Sequence, residues 1–273
     1  MYSWIFIISS WPEGLSIATF IHPSALVDPN AQIGENVIVG PFVIIENDVV
    51  IGDGTEIKSS AVIKQGARIG KDCRIFQSTV VSEIPQDLKF EGENTLFEIG
   101  DRTTIREFCT LNRGTSESGK SAIGSDCLLM AYVHVAHDCV IKDKTILANG
   151  VQLAGHVSIG YNVTIGGMTP VHQFCSVGDH AFVGGGYRVV QDVPPYILAT
   201  GEPLKFAGVN NVGLRRRGFS AESRMNIKRA YKKIFYSDMN THDAIEDIKS
   251  DIKQTDEVKK IIKFVENSDR GLI

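Results

Sequence analysis

The 273-residue sequence has no Cys-x-x-Cys pair, no basic N-terminal flank and no apolar run long enough to span a bilayer. Its five cysteines are odd in number, which argues against a disulfide framework or a zinc ribbon and for a reducing compartment. Residues 1–20 contain no Lys or Arg, so the apolar patch Trp4-Ile5-Phe6-Ile7-Ile8 lacks the charged start of a signal peptide. Those residues read as a leader of unclear role, disordered or loosely docked, and the expected compartment is the cytoplasm. A basic excess is also missing. Lys and Arg number 28 against 32 Asp and Glu, a formal charge of −4, so nothing global points to a nucleic-acid partner. An integral membrane span is not expected.

What the sequence does have is a period of six. Every sixth residue from Ile21 to Val81 is Ile or Val. The frame breaks over residues 82–95, resumes at Ile99, Ile105 and Leu111, and breaks again over the Gly/Ser/Thr-rich residues 114–121. From Ile123 to Val189 every sixth residue is again Ile, Leu or Val. Four residues after the aliphatic position sits a small or β-branched residue, such as Ala25, Val37, Thr55 or Ala61. Glycine often follows the aliphatic residue directly, as at Gly34, Gly40, Gly52 and Gly70, where it is expected to serve corners needing unusual backbone angles.

A period of six fits neither an α-helix nor a long alternating strand. It fits short strands joined by tight corners, with three repeats to a coil and each coil pairing in parallel with the last. Each inward aliphatic side chain contributes roughly 1.5–3 kcal/mol by burial. Cys73, Cys109, Cys127, Cys139 and Cys175 all fall four residues after an aliphatic position, so they read as small core residues rather than nucleophiles or ligands. The pattern ends at Pro194-Pro195, and the period then changes. Ser220, Thr241 and Asp256 each precede a helical apolar stripe. The expected fold is mainly β: a parallel β-helix of hexapeptide repeats over residues 21–200, then a small α-helical C-terminal domain over residues 201–273.

A plain solenoid needs no histidines, yet four of the seven stand at His134, His137, His156 and His172. With three repeats to a coil, His137 stacks with Gly155, Gly155 with Gln173, and Asp138 with His156. Two chemistries suit such a strip. One is a general base, a neutral imidazole oriented by a carboxylate. The other is zinc held by three histidines converging from neighbouring subunits. The first interruption carries Asp87 and Lys89 in a loop that either binds a sugar and phosphates or is merely solvated. The run Arg215-Arg216-Arg217 offers bidentate anion recognition, or is a solvated charge run just ahead of the first helix.

Several segments together resemble one family. They are His134-Val135-Ala136-His137-Asp138-Cys139, Leu153-Ala154-Gly155-His156-Val157, Gly166-Gly167-Met168-Thr169-Pro170-Val171-His172-Gln173-Phe174, Gln191-Asp192-Val193-Pro194-Pro195-Tyr196 and Arg216-Arg217-Gly218-Phe219-Ser220. In this order they are similar to the UDP-N-acetylglucosamine O-acyltransferases that open lipid A synthesis, over about residues 20 to 273. The resemblance implies a left-handed coil, a homotrimer with active sites between subunits, and acyl carrier protein and UDP-N-acetylglucosamine as substrates. It implies no metal and no diffusible cofactor. His137 would take the proton from the glucosamine 3-hydroxyl, Asp138 would orient it, and the Gly155 N–H would stabilise the oxyanion. His134, His156, His172 and Gln173 would line the sugar and acyl sites, Asp87 and Lys89 would reach sugar and phosphates, and Asn210, Arg216 and Arg217 would bind the nucleotide end.

Three departures accompany the resemblance. Val212 stands where relatives often have an acid, Asn112 where they often have a histidine, and Gly185 where a larger residue closes the acyl groove of short-chain members. The open glycine implies a long 3-hydroxyacyl donor. The competing readings are the later N-acyltransferase of the same pathway, which carries an additional N-terminal domain, a coenzyme A-dependent hexapeptide acetyltransferase, which lacks the Gln86-Asp87-Leu88-Lys89 loop, and a non-enzymatic scaffold, which leaves the histidine strip unexplained.

Overall fold

Short strands, mostly of two residues, recur from Phe20–Ile21 to Phe182–Val183 and, with the later Ile197–Thr200 and Lys205–Val209 added to the first sheet, sort among the described residues into three sheets of eleven, eight and eight strands. The computed structural model describes residues 18–273, so the leader expected at residues 1–20 lies, up to residue 17, outside the described residues. The three faces begin with Phe20–Ile21 (first), Leu26–Val27 (second) and Gln32–Ile33 (third). Each strand pairs in parallel with the strand three repeats on, Phe20 with Ile38 and Ile21 with Val39, so three strands make one coil. The second residue of each two-residue strand points inward. From Val39 onward these residues are buried, through Ile45, Ile51 and Ile57 to Val183. The architecture is the left-handed parallel β-helix with a small helical C-terminal domain.

The corners have a period of their own. Three residues past most inward positions the backbone takes a positive φ, as at Asn36 (57°), Phe42 (59°), Asp48 (50°), Asp138 (59°) and His156 (61°). The glycines directly after the inward residue serve a different purpose from the one their type suggested. Gly34, Gly40, Gly52 and Gly70 lie outside the left-handed region. A Cβ on Gly34 would sit 2.5 Å from Asp53 Oδ1, and one on Gly52 would sit 2.7 Å from the Gly70 carbonyl. Glycine is needed there because neighbouring coils approach too closely for a side chain.

The small position is filled and hydrogen-bonded. Thr55 Oγ1 donates to Gly70 O (2.9 Å) and accepts from Cys73 N (3.1 Å). Cysteines use the same slot: Cys73 Sγ donates to Gly100 O (3.2 Å) and Cys139 Sγ to Ala154 O (3.1 Å). All five cysteines are buried and unpaired.

Two excursions leave the coil. An unbroken coil would pair Arg74 with position 92 and Thr110 with position 128, but they pair instead with Thr104 and His134. The insertions are therefore two whole repeats and one whole repeat, which is why the numerical frame survives them. Both leave at the edge between the second and third faces, after strands Val80–Glu83 and Thr110–Asn112. They brace each other: Asn112 Nδ2 donates to Ile84 O (2.6 Å) and Thr95 Oγ1 to Gly114 O (2.6 Å).

An antiparallel pair, Ile197–Thr200 with Lys205–Val209, closes the C-terminal end of the coil. Four helices follow: α1 (Asn211–Arg216), α2 (Ala221–Tyr236), α3 (Thr241–Asp251) and α4 (Asp256–Glu266). Ser220 caps α2 as its sequence predicts, accepting from Ser223 N. The cap of α3 is Asn240, not Thr241, which is its first helical residue. The arginine run does not precede the helices. Arg215 and Arg216 form the last turn of α1, where cationic side chains suit the helix dipole. Tyr231 anchors α2 by donating to Pro195 O (2.5 Å). Among the described residues no helix is long and apolar enough to cross a membrane.

Candidate active site

His137, Gly155 and Gln173 occupy one position in three successive coils, two residues past the inward Val135, Leu153 and Val171. This is the edge from which both excursions depart. The corner residues beside them are Asp138, His156 and Phe174. A groove of about 620 Å³ is lined by Asp87, Lys89, Glu117, His137, His156, Gln173 and Phe174, together with neighbouring loop residues. The structure therefore brings together two loops and three coils that are separate in sequence.

At the base of the groove His137 Nδ1 donates to Asp138 Oδ2 (2.8 Å), which leaves Nε2 as the unprotonated nitrogen. The Asp138 side chain is fully inaccessible. Burial alone would push its carboxyl upward, but hydrogen bonds from Ser118, His137 and Thr115 outweigh it and hold the group below the usual carboxylate range. The His156 ring lies edge-on to that of His137 (5.1 Å between centroids) and stacks on Phe174 (4.6 Å). Its Nε2 is 3.6 Å from Asp138 Oδ2 and 3.7 Å from Glu117 Oε2.

Gly155 lies directly beneath the His137 ring. A Cβ at Gly155 would sit 2.6 Å from His137 Cε1 and 2.7 Å from Nε2. Its amide, like those of His137 and Gln173 at the same edge, has no protein acceptor among the described residues. At the edge between the third and first faces, residues at the same corner position donate their N–H to an Asp one coil on: Glu35 to Asp53, Lys71 to Asp101, Ser125 to Asp143 and Tyr161 to Asp179. Among the described residues the Gly155 N–H has no such acceptor. The donor is free for a ligand.

His137, Asp138 and His156 have the donor types of a metal site, with candidate atoms within 4.8 Å of one another. The carboxylate, however, already accepts four hydrogen bonds, one of them from His137. A cation would have to break that set, whereas proton transfer at Nε2 uses it as it stands.

The other expected residues lie outside the groove within one chain. His134, on strand His134–Val135 of the second face, meets Thr110 Oγ1 through Nδ1 (2.8 Å), and burial lowers its basicity. His172 is exposed and approached by Arg270 (3.3 Å between Nδ1 and the guanidinium). Asn210 caps α1 and donates to His180 O (3.0 Å). Arg217 is half-buried against the same His180, while Arg216 is exposed. These last three lie at the edge between the third and first faces. Gly185 lies near the remaining edge, where a Cβ would come within 3.0 Å of Gly167 O. Sequence reasoning does not single out Thr115, Ser118, Glu117 or Phe174. Phe174 shares the one-coil spacing of Asp138 and His156 and could be found from it, but the loop residues carry no periodic signal.

Comparison with known proteins agrees over nearly the whole chain. A family model described as UDP-N-acetylglucosamine O-acyltransferase, domain 2, matches residues 192–273, and one described as GMPPB C-terminal domain matches residues 18–149. The acyl-[acyl-carrier-protein]–UDP-N-acetylglucosamine O-acyltransferase of Thiobacillus denitrificans is 46% identical over 202 residues, covering 73% of this chain and 78% of the relative. That of Herminiimonas arsenicoxydans is 44% identical, covering 75% and 80%. Among solved structures, LpxA of Bacteroides fragilis, a UDP-N-acetylglucosamine acyltransferase, superposes with a TM-score of 0.92 at 45% identity, covering 93% of this chain and 100% of that one. LpxA of Acinetobacter baumannii gives 0.90 at 42% identity, covering 93% and 99%.

Proposed function

The chain belongs to the acyl-[acyl-carrier-protein]–UDP-N-acetylglucosamine O-acyltransferase family, and from that premise we propose how its residues divide the work of the reaction. The enzyme transfers a 3-hydroxyacyl chain from acyl carrier protein to the 3-hydroxyl of UDP-N-acetylglucosamine, the first step of lipid A biosynthesis. His137 Nε2 takes the proton of the attacking hydroxyl, and the Nδ1–H bond to Asp138 keeps the ring in the tautomer that allows it. The sugar oxygen attacks the thioester carbonyl, and the free Gly155 N–H receives the developing oxyanion. Collapse breaks the C–S bond, His137 returns its proton to the departing thiolate, and the ester remains on the sugar. The observation that carries this reading is the His137–Asp138 dyad set directly over an amide with no acceptor of its own.

His156 and Gln173 line the groove beside the base, and Asp87 and Lys89 reach sugar and phosphate from the first excursion. His134 and His172 flank it on the second face. Asn210, Arg216 and Arg217 sit at another edge, so they serve the nucleotide only when a second copy brings that edge to the groove. This division supports a homotrimer with sites between subunits. So does the apolar surface on the second face and its edge with the first: Leu26 (67% exposed), Phe42 (67%), Ile44, Phe108, Tyr132 and Met168. Gly185 leaves room for a long acyl chain. The compartment is the cytoplasm, in keeping with soluble substrates.

Incubating the purified protein with UDP-N-acetylglucosamine and a 3-hydroxyacyl carrier protein tests the reading. A product acylated on the sugar 3-oxygen supports it, and absence of transfer overturns it. Light scattering tests the assembly: a mass three times that of the 29.9 kDa chain supports the trimer, and a monomer overturns it.

A further inference from the structure

The second excursion adds one whole repeat to a coil that would close without it, and its residues 113–119 return to the prism at Lys120. Three of the four hydrogen bonds on the Asp138 carboxylate come from this segment. Thr115 N donates to Oδ1 (2.9 Å), Thr115 Oγ1 donates to Oδ2 (2.9 Å), and Ser118 Oγ donates to Oδ1. The fourth donor is His137. The direction of the threonine bond is fixed, because Thr115 Oγ1 also accepts from Glu117 N (3.2 Å), which commits its single proton to the carboxylate. Ser118 has a choice of acceptors, since its hydroxyl also lies 2.9 Å from Lys120 O.

The segment is itself anchored. Gly119 N donates to Thr115 O (2.8 Å), Gly114 N to Leu96 O (3.2 Å) and Arg113 N to Glu83 O (3.0 Å). The loop is thus tied to both ends of the first excursion, which carries Asp87 and Lys89. An aspartate at a left-handed corner has a side chain that could turn in more than one direction. Fixing both oxygens removes that freedom, and through Oδ2 it fixes the plane of the imidazole over Gly155.

We infer that the second excursion is a positioning element for proton transfer, with Thr115 and Ser118 as positioning residues that hold Asp138 and, through it, His137. This rests on the reading of His137 as the base. Thr115 borders the groove, but its hydroxyl proton is committed to Asp138, so removing that donor lowers turnover far more than it alters substrate binding.

Steady-state kinetics of the full-length enzyme with UDP-N-acetylglucosamine and a 3-hydroxyacyl carrier protein provide the test. Thr115→Val, nearly isosteric but without the hydroxyl, is expected to lower kcat about 10-fold or more with both KM values held within about twofold. Thr115→Ser restores the donor and is expected within about threefold of wild type. Ser118→Ala, in the exposed part of the loop, is expected to lower kcat by about threefold to 10-fold. The inference is overturned if Thr115→Val turns over like wild type, or if Thr115→Ser is as impaired as Thr115→Val, which is the mark of lost packing. If Thr115→Val does not fold, Ser118→Ala decides, and wild-type turnover there overturns the inference. Failure of the underlying reading looks different: wild type is then inactive, or His137→Ala turns over normally.

Discussion

The His137 imidazole rests on Gly155 so closely that a Cβ there would lie 2.6 Å from its Cε1 and 2.7 Å from its Nε2. The glycine stands one coil further along the chain, directly beneath the ring. Its conformation is ordinary, so it is the ring overhead that excludes a side chain. Gly155→Ala keeps the amide donor and displaces the base. Turnover is expected to fall about 100-fold, the effect of a misplacement near 1 Å at a reacting group, with little change in the KM for UDP-N-acetylglucosamine. A Gly155→Ala enzyme with wild-type kcat would mean that the ring position does not matter.

The cysteines offer a test of the fold. Desolvation pushes the Cys109 and Cys139 thiols up to about 12 and that of Cys127 up to about 11, and it raises Cys73 and Cys175 as well. Thiolates, not thiols, react with alkylating agents. Native protein treated with iodoacetamide near neutral pH is expected to remain unlabelled by mass spectrometry, while denatured protein takes up five labels. Rapid native labelling at several positions would place these residues outside the core.

His180 makes stability depend on pH. It is buried between Tyr161, Tyr196 and Phe219, with Nδ1 3.3 Å from the Arg217 guanidinium. Burial and the Arg217 charge lower it to about 4, with Asp179 opposing and Lys260 adding to the effect. The unfolded chain binds a proton near the ordinary value of about 6.5 and the folded chain does not. Its contribution is therefore intact above pH 6.5 and is lost as the pH falls toward 4, on the order of 3 kcal/mol at most. Denaturant titrations at pH 7 and pH 5 should show this loss, and His180→Phe should reduce it. An unchanged pH dependence in the variant would remove His180 as the source.

Much of this fold is legible in the sequence because the coil imposes a rigid period. The inward aliphatics, the cysteine slots and the stacking of His137, Gly155 and Gln173 all follow from counting in sixes and eighteens. The period also hides something, because excursions of one and two whole repeats leave the frame intact. The sequence therefore shows that Thr115 and Ser118 leave the coil but not that they return to Asp138. The glycines after the inward residues mislead for a related reason: their role is contact between coils, which a one-dimensional reading mistakes for local conformation. The arginine run falls inside a helix rather than ahead of one because α1 is too short to carry an apolar stripe. Residues on three different edges cannot be joined from one chain's periodicity alone, which is why Asn210, Arg217 and Gly185 depend on the proposed assembly.

The proposed preference for a long acyl chain rests on Gly185. A side chain there would press on the Gly167 backbone, 3.0 Å from its oxygen and 3.2 Å from its nitrogen. With a panel of 3-hydroxyacyl carrier proteins of graded length, kcat/KM is expected to rise toward the longer chains, and Gly185→Met to shift the preference toward shorter ones. A wild-type preference for the shortest donors would contradict the open groove.

The proposed acyl transfer turns on His137 as the base. The decisive measurement is the rate of 3-hydroxyacyl transfer from acyl carrier protein to UDP-N-acetylglucosamine by wild type and by His137→Ala, both checked for an unchanged melting temperature. With the imidazole as the proton acceptor, the variant is expected to lose on the order of 100-fold or more. A variant that transfers the acyl chain at the wild-type rate would contradict that role.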